Sequence, residues 1–291
     1  MLSMLGLIVA LVCAIRLVAN DNPNANDDFA VKIVNNTGVK KVYVLVKGLN
    51  PNTKKPTFIE FDIDHPKSVG TYADVAQPDA DIDHPTQSLN YGYDYTKFGT
   101  TEDGYIMHLP YLESGRIYIS IGEKLKMPVV GKSPTLGIAD PSPFNKSDPN
   151  YNYLYDKVEF TYLKNGETYI NPTAVDCLAL PIAVAQKRKV GNEEIDVLYG
   201  ISYGKNGSRE KTFKDIEKIL TSDDASPELK RLIIRDNNNN ILRIVAPGRD
   251  DAFFDPKYLN EYIDFLWKYY ETHPHTLTID CREVKGILDQ Q

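Results

Sequence analysis

Residues 156–184 read "DKVEFTYLKNGETYINPTAVDCLALPIAV". Two apolar strand patterns, "KVEFTY" and "AVDCLALPIAV", each carry one carboxylate. Glu159 stands between Val158 and Phe160, and Asp176 between Val175 and Cys177. Strand side chains alternate between faces, so Val158, Phe160 and Tyr162 fall on one face and Glu159 and Thr161 on the other. Asn165-Gly166 is a strong tight-turn signal. A turn centred there predicts Tyr162 near Tyr169 and Glu159 near Pro172. Asp176 then follows just past the ladder, beyond the bend at Asn171-Pro172. The two acids lie 17 residues apart, a spacing that lets both face one groove.

The strand reading extends outward. "FAVKIVNNTG", "KKVYVLVKGL" and "TFIEFDID" alternate apolar and polar residues, and "GYIMHLPYL" and "GRIYISIGEKL" follow. Short strands with frequent turn residues predict an antiparallel sandwich or barrel. Residues 70–104 read as long surface loops, and Asp-His-Pro at 64–66 and 83–85 reads as two turns. Residues 127–152 carry five prolines; a Pro-rich loop of that length inside a compact fold is more often functional than incidental.

After about Gln186 the pattern changes. "KTFKDIEKIL" and "SPELKRLIIR" predict short helices, the second with Ser226 as cap and Pro227 in its first turn. "DPKYLNEYIDFLWKYYETH" predicts the best helix, with Asp255 as cap, Pro256 at the first position and Leu259, Tyr262, Ile263, Leu266 and Tyr270 on one face. The domain expectation is therefore a β domain over 29–185 and a mixed α/β portion over 186–291. A cleft between two such portions is a place for a ligand.

At 291 residues the chain can bury a substantial core, and its formal charge of −7 argues against nucleic acid as a partner. Nineteen tyrosines against one tryptophan supply rings that stack on a partner while their hydroxyls stay hydrogen-bonded, although most will be ordinary sheet residues. The first 19 residues read as a secretory leader, with an apolar run from Leu5 to Ile15 and a small residue at Ala19. That run is shorter than the roughly 20 apolar residues a spanning helix needs, so no membrane association is expected after cleavage. Residues 20–28 form a polar linker, and the localisation expected is extracellular. Cys13 leaves with the leader; Cys177 and Cys281 are equally compatible with one disulfide or two separate thiols.

Two facing carboxylates suit glycoside hydrolysis, where one acid protonates the leaving oxygen and the other activates water or attacks the sugar. Here the residues resemble a known family. "EFTYLKNGETYINPTAVDCLALPIAV" is similar to the core segment of thaumatin-like proteins, and more closely to glycoside hydrolase family 64, the thaumatin-like endo-β-1,3-glucanases. The resemblance runs through "VKIVNNTG", "SGRIYISIGEKL", "DPNYNYLYDKVEFTY", "RIVAPG" and "YIDFLWKYYETHPHTLTIDC", most of residues 30–282.

The resemblance implies a mainly β, thaumatin-like sandwich or barrel with a mixed α/β domain flanking an open groove. It implies inverting cleavage inside β-1,3-glucan, with Glu159 as general acid, Asp176 as general base, and the pair roughly 6.5–9.5 Å apart. Thr161 matches a sugar-binding position, and Tyr162 and Asn165 are further substrate contacts. Asn171, also a substrate contact, stands where many plant thaumatin-like proteins carry an additional Asp; the amide keeps a hydrogen bond but loses the charge, which makes this cleft less acidic. Relatives continue well past the equivalent of Ile279-Asp280-Cys281, so a shortened relative or a fragment is expected. No cofactor is implied, and the partner is the polysaccharide itself. The rival readings are a glucan-binding protein without catalysis and a sandwich that binds another protein.

Among other residues, Arg116 in "SGRIYIS" can hold Glu159 ionised or bind a sugar hydroxyl, or be a surface cation. His273 and His275 with Asp280 lack a zinc spacing, and the acids from Asp62 to Asp83 lack calcium-loop spacing. Gly131-Lys132-Ser133 lacks the upstream glycine of a phosphate loop. Nothing in the pattern sets the oligomeric state.

Overall fold

The computed structural model describes residues 15–20, 29–165, 167–190, 193–200, 208–247, 255, 257–273, 276–279 and 282–285. In chain order the first strands are β1 (Ile15–Asn20), β2 (Phe29–Asn35), β3 (Val42–Leu49), β4 (Pro56–Glu60) and β5 (Thr71–Asp74). The short helix α1 (Gln87–Asn90) leads to β6 (Gly92–Asp94), β7 (Gly99–Thr100), β8 (Tyr105–Leu109) and β9 (Leu112–Ile121). Then come β10 (Val129–Val130), β11 (Gly137–Ile138), β12 (Leu154–Tyr162), β13 (Thr168–Pro172), β14 (Cys177–Leu178), β15 (Ile182–Val190) and β16 (Glu193–Gly200). The last part holds α2 (Arg209–Leu220), β17 (Ile233–Arg235), β18 (Ile241–Val245), α3 (Asn260–Thr272), β19 (Thr276–Ile279) and β20 (Arg282–Lys285).

Two sheets form the body. One runs β13-β12-β9-β3-β4-β5, with β6 also on β3; the other runs β16-β15-β1-β2-β8-β7. Alternation decides what they bury. Val42, Val44 and Val46 of β3, Ile117 and Ile119 of β9, and Val158 and Phe160 of β12 turn inward from the first sheet. Phe29, Val31 and Ile33 of β2, with Met107 and Leu109 of β8, meet them from the second. Each such side chain contributes about 1.5–3 kcal/mol on leaving water. Close approach matters at Gly115, which pairs with Phe160. A Cβ there would stand 2.6 Å from the Phe160 ring.

Several expectations need correcting. The contacts divide the chain into Met1–Ala246 and Pro247–Gln291, later than the 185/186 boundary read from composition. The reason is pairing: β14 carries β18, and Arg209 of α2 donates to the carbonyls of Ala179, Ile241 and Leu242. These bonds tie residues 208–245 into the β body. β1 pairs in parallel with β15 and antiparallel with β2, so the end of the stretch read as a leader is backbone-paired here. Residues 21–28 of the expected linker lie outside the described residues.

The excursion at 70–104 is not all loop, since β5, α1, β6 and β7 punctuate it. The two Asp-His-Pro turns share one device: Asp62 and Asp81 each accept N–H groups two and three residues on and face the following His at 2.8 and 2.9 Å. α2 forms as expected, capped by Ser208. The segment after Ser226 makes only a 3₁₀ turn, Pro227–Leu232, before entering β17, because the β-branched Ile233 and Ile234 favour the strand. In the second unit α3 starts at Asn260, later than expected. Asp255 instead accepts the N–H of Lys257 at 2.9 Å and closes a turn before the helix.

Candidate active site

The site lies on the outer face of the β12–β9–β3 strands. Backbone register builds it. Glu159 of β12 is flanked by Arg116 of β9 on one side and Asn171 of β13 on the other, and Arg116 in turn faces Lys47 of β3. Cross-strand partners share a face, so Lys47, Arg116, Glu159 and Asn171 form one polar row. Two positions away along the same face stand Thr161 and Tyr169, which pair with each other. Ser114, Gly115, Arg116, Glu159, Thr161, Tyr169 and Asn171 line a hollow of about 270 Å³, with Phe160 at its edge.

The pairing of β12 with β13 is one residue off the expected register. Glu159 meets Asn171 rather than Pro172, and Tyr162 meets Thr168 rather than Tyr169. Leu163 N–H donates to Glu167 O at 3.0 Å, so the connection has an odd number of residues and is centred on Asn165. That shift is what sets the Asn171 amide beside Glu159.

Asp140, from the Pro-rich loop, dominates the electrostatics. Its carboxylate receives Lys47 Nζ, Arg116 Nη1 and the Tyr118 hydroxyl, the last at 2.7 Å. Burial pushes the Asp140 carboxyl up, but Lys47, Tyr118 and Arg116 outweigh it and hold it below the ordinary range. Lys47, 6% exposed, is depressed by burial despite Asp140; it also donates to Ile138 O at 3.0 Å. Burial would lower Arg116 too, but Asp140, Tyr118 and Glu159 raise it. Arg116 Nε donates to Glu159 Oε1 at 3.3 Å, a longer bond than its contact with Asp140.

Asp176 follows β13 and lines a smaller neighbouring hollow of about 20 Å³, with Tyr118, Tyr155, Lys157 and Cys177. That is room for about one water. Lys157 stands two residues before Glu159, hence on its face, and its Nζ donates to Asp176 Oδ2 at 3.0 Å. The Asp176 carbonyl accepts from Ala246 N–H at 2.9 Å. Beside it Cys177 is a buried free thiol, pushed by burial up to about 12, and Cys281 lies outside the described residues. The link from β14 to β15 is pinned by Asp156, whose carboxylate accepts from the N–H groups of Ala179 and Leu180 there and from that of Lys157.

Of the residues read as substrate contacts, Arg116, Thr161 and Asn171 reach the hollow. Tyr162 does not: alternation turns it toward the core, where it stacks on Phe29 at 5.2 Å and Tyr111 at 4.7 Å. Asn165 sits in the turn, its side chain accepting Glu167 N–H at 3.1 Å. Lys47, Asp140, Lys157 and Tyr169 were not singled out from sequence. Strand parity with Glu159 and Asn171 carries a signal for Lys157 and Tyr169; no local pattern marks Asp140.

The model of the family described as glycoside hydrolase 64, β-1,3-glucanase, matches residues 27–290. A glucan endo-1,3-β-glucosidase from Cellulosimicrobium cellulans is 38% identical over 87 residues, 29% of this chain and 15% of that protein. The fold resembles a β-1,3-glucanase domain from Clostridium beijerinckii, with a TM-score of 0.57 and 21% identity, covering 94% of this chain and 66% of that one. It also resembles a laminaripentaose-producing β-1,3-glucanase crystallised with laminaritetraose, with a TM-score of 0.60 and 17% identity, covering 92% of this chain and 62% of that one.

Proposed function

The chain belongs to glycoside hydrolase family 64, the β-1,3-glucanases, and on that premise we propose that it cleaves internal β-1,3-glucosidic bonds with inversion. Glu159 is the general acid and Asp176 the general base. The observation that carries this reading is the Lys157–Asp176 bond at 3.0 Å. It draws the second carboxylate toward the face that presents Glu159. The polar hollow on the outer face of the sheet fits an open, thaumatin-like groove, and the apolar run from Leu5 to Ile15 supports action outside the cell.

The reaction balances on two proton transfers. Asp176 takes a proton from water as its oxygen attacks the anomeric carbon, and Glu159 gives its proton to the glycosidic oxygen as the C–O bond breaks. Inversion needs a water between the two carboxyls, hence roughly 6.5–9.5 Å of separation. Thr161 and Asn171 offer hydrogen bonds to sugar hydroxyls, and Tyr169, 61% exposed, offers a ring face for stacking.

Proton NMR of a soluble β-1,3-glucan digest tests this. The reading expects new reducing ends that appear first as the α-anomer. First appearance of the β-anomer would contradict inversion, and no new reducing ends would contradict hydrolysis.

A further inference from the structure

Three cations and three carboxylates meet on this face. Lys157 faces Asp176, while Lys47 and Arg116 converge on Asp140, and Arg116 also reaches Glu159. The groups around Glu159 are therefore Arg116 and Tyr118 from β9, Lys47 from β3, Lys157 from its own strand, Tyr169 from β13, and Asp140 and Asp176 from the loops. A general acid must carry its proton when substrate binds. An arginine hydrogen-bonded to it, with a buried lysine behind, favours the ionised carboxylate instead. Asp140 is the group placed to counter both cations. It is fixed from three directions, by Lys47, Arg116 and the Tyr118 hydroxyl.

We propose that Asp140 is a positioning residue for the acid: it holds the Arg116 guanidinium by Nη1, leaves only Nε for Glu159, and offsets the positive charge that Arg116 and Lys47 place beside the Glu159 carboxyl. The inference rests on the reading of Glu159 as proton donor. Without Asp140, Arg116 is released to take Glu159 with two parallel donors, the strong bidentate geometry of arginine and carboxylate. That pairing favours the carboxylate form of Glu159 over the acid. Lys47 acts in the opposite sense. Its removal leaves Asp140 to Arg116 and Tyr118, so less positive charge bears on Glu159.

The test follows Glu159 directly, whether or not the chain hydrolyses glucan. Carbon-13 NMR of protein labelled at glutamate carboxyls, with the Glu159 signal identified by its loss in Glu159→Gln, gives the titration midpoint. In Asp140→Asn the midpoint falls by roughly half to one pH unit, allowing for partial exposure. Asp140→Glu keeps it near the native value, and Lys47→Met raises it. The alkaline limb of kcat moves in the same directions.

A Glu159 midpoint unmoved in folded Asp140→Asn and in Lys47→Met overturns the inference, even with hydrolysis intact. If Asp140→Asn does not fold, Lys47→Met decides alone: a rise supports the inference and no change overturns it. Midpoints that shift in a chain releasing no sugar leave Asp140's effect on Glu159 standing and reject the hydrolase reading. A uniform fall in kcat at every pH, with the midpoint fixed, marks Asp140 as merely structural.

Discussion

Lys157 donates from Nζ to Asp176 Oδ2 at 3.0 Å while standing two residues before Glu159 on the same strand. The period of two puts Lys157 on the face that also presents Glu159, so the bond joins Asp176 to that face. The Lys157 side chain is 16% exposed, so its bond is little screened by solvent. Lys157→Met removes the tether and keeps the aliphatic length. We expect kcat on glucan to fall about 10- to 100-fold, as misplacing a reacting group does, with KM little changed. Steady-state kinetics check this; an unaltered kcat would show that Asp176 is held by other contacts.

Tyr169 and Tyr162 separate binding from packing. Tyr169 is exposed in the hollow opposite Thr161, so Tyr169→Ala raises KM about 2- to 10-fold, the worth of one ring stack, and leaves thermal stability unchanged. Tyr162→Ala does the reverse. It strips a ring stacked on Phe29 and Tyr111 and lowers stability by about 2 kcal/mol, a partly buried version of aromatic truncation. Kinetics and thermal melts on both variants decide, and equal effects on KM would place Tyr162 in the groove after all.

Asp156 gives stability a pH slope. Burial pushes its carboxyl up to about 6, against three backbone N–H groups that pull it down. An unfolded aspartate titrates near ~3.9. Between these values the folded chain holds a proton that the unfolded chain has lost, so stability from this group falls as pH rises through that window and is level above it. The size is about 2–3 kcal/mol. Urea unfolding of the native chain and Asp156→Asn should show their difference shrinking by that amount from pH 4 to pH 7. A difference independent of pH would mean that Asp156 titrates alike in both states.

Arg243 supports the loop that carries Asp140. It is fully buried and donates to the carbonyls of Pro143, Tyr151 and Tyr153. Arg243→Met leaves three carbonyls short of a donor and costs about 3 kcal/mol or more, roughly one per orphaned group. Chemical denaturation measures it. A loss under about 1 kcal/mol would mean that water takes over those carbonyls.

What the sequence revealed follows from local rules, and what it hid depends on distant partners. The face carrying Glu159 and Thr161 is legible because alternation is a property of one strand. The partner of Glu159 was misplaced by one residue because Asn165-Gly166 is equally at home in a two-residue turn and in a longer odd one. Tyr162 reads as a contact because nothing nearby announces Phe29, from β2, and Tyr111, from the connection between β8 and β9. Asp140 stayed hidden for the same reason: Lys47, Arg116 and Tyr118 reach it from two strands, and only its Pro-rich loop stood out. The domain boundary moved because β14–β18 pairing crosses the change in composition.

The most direct test of the central claim is oligosaccharide release from a soluble β-1,3-glucan by the native chain, Glu159→Gln and Asp176→Asn, each confirmed as folded. The account predicts release by the native chain and a loss of at least about 100-fold in both variants, the usual worth of a general acid or base. Undiminished release by folded Glu159→Gln or Asp176→Asn would contradict it.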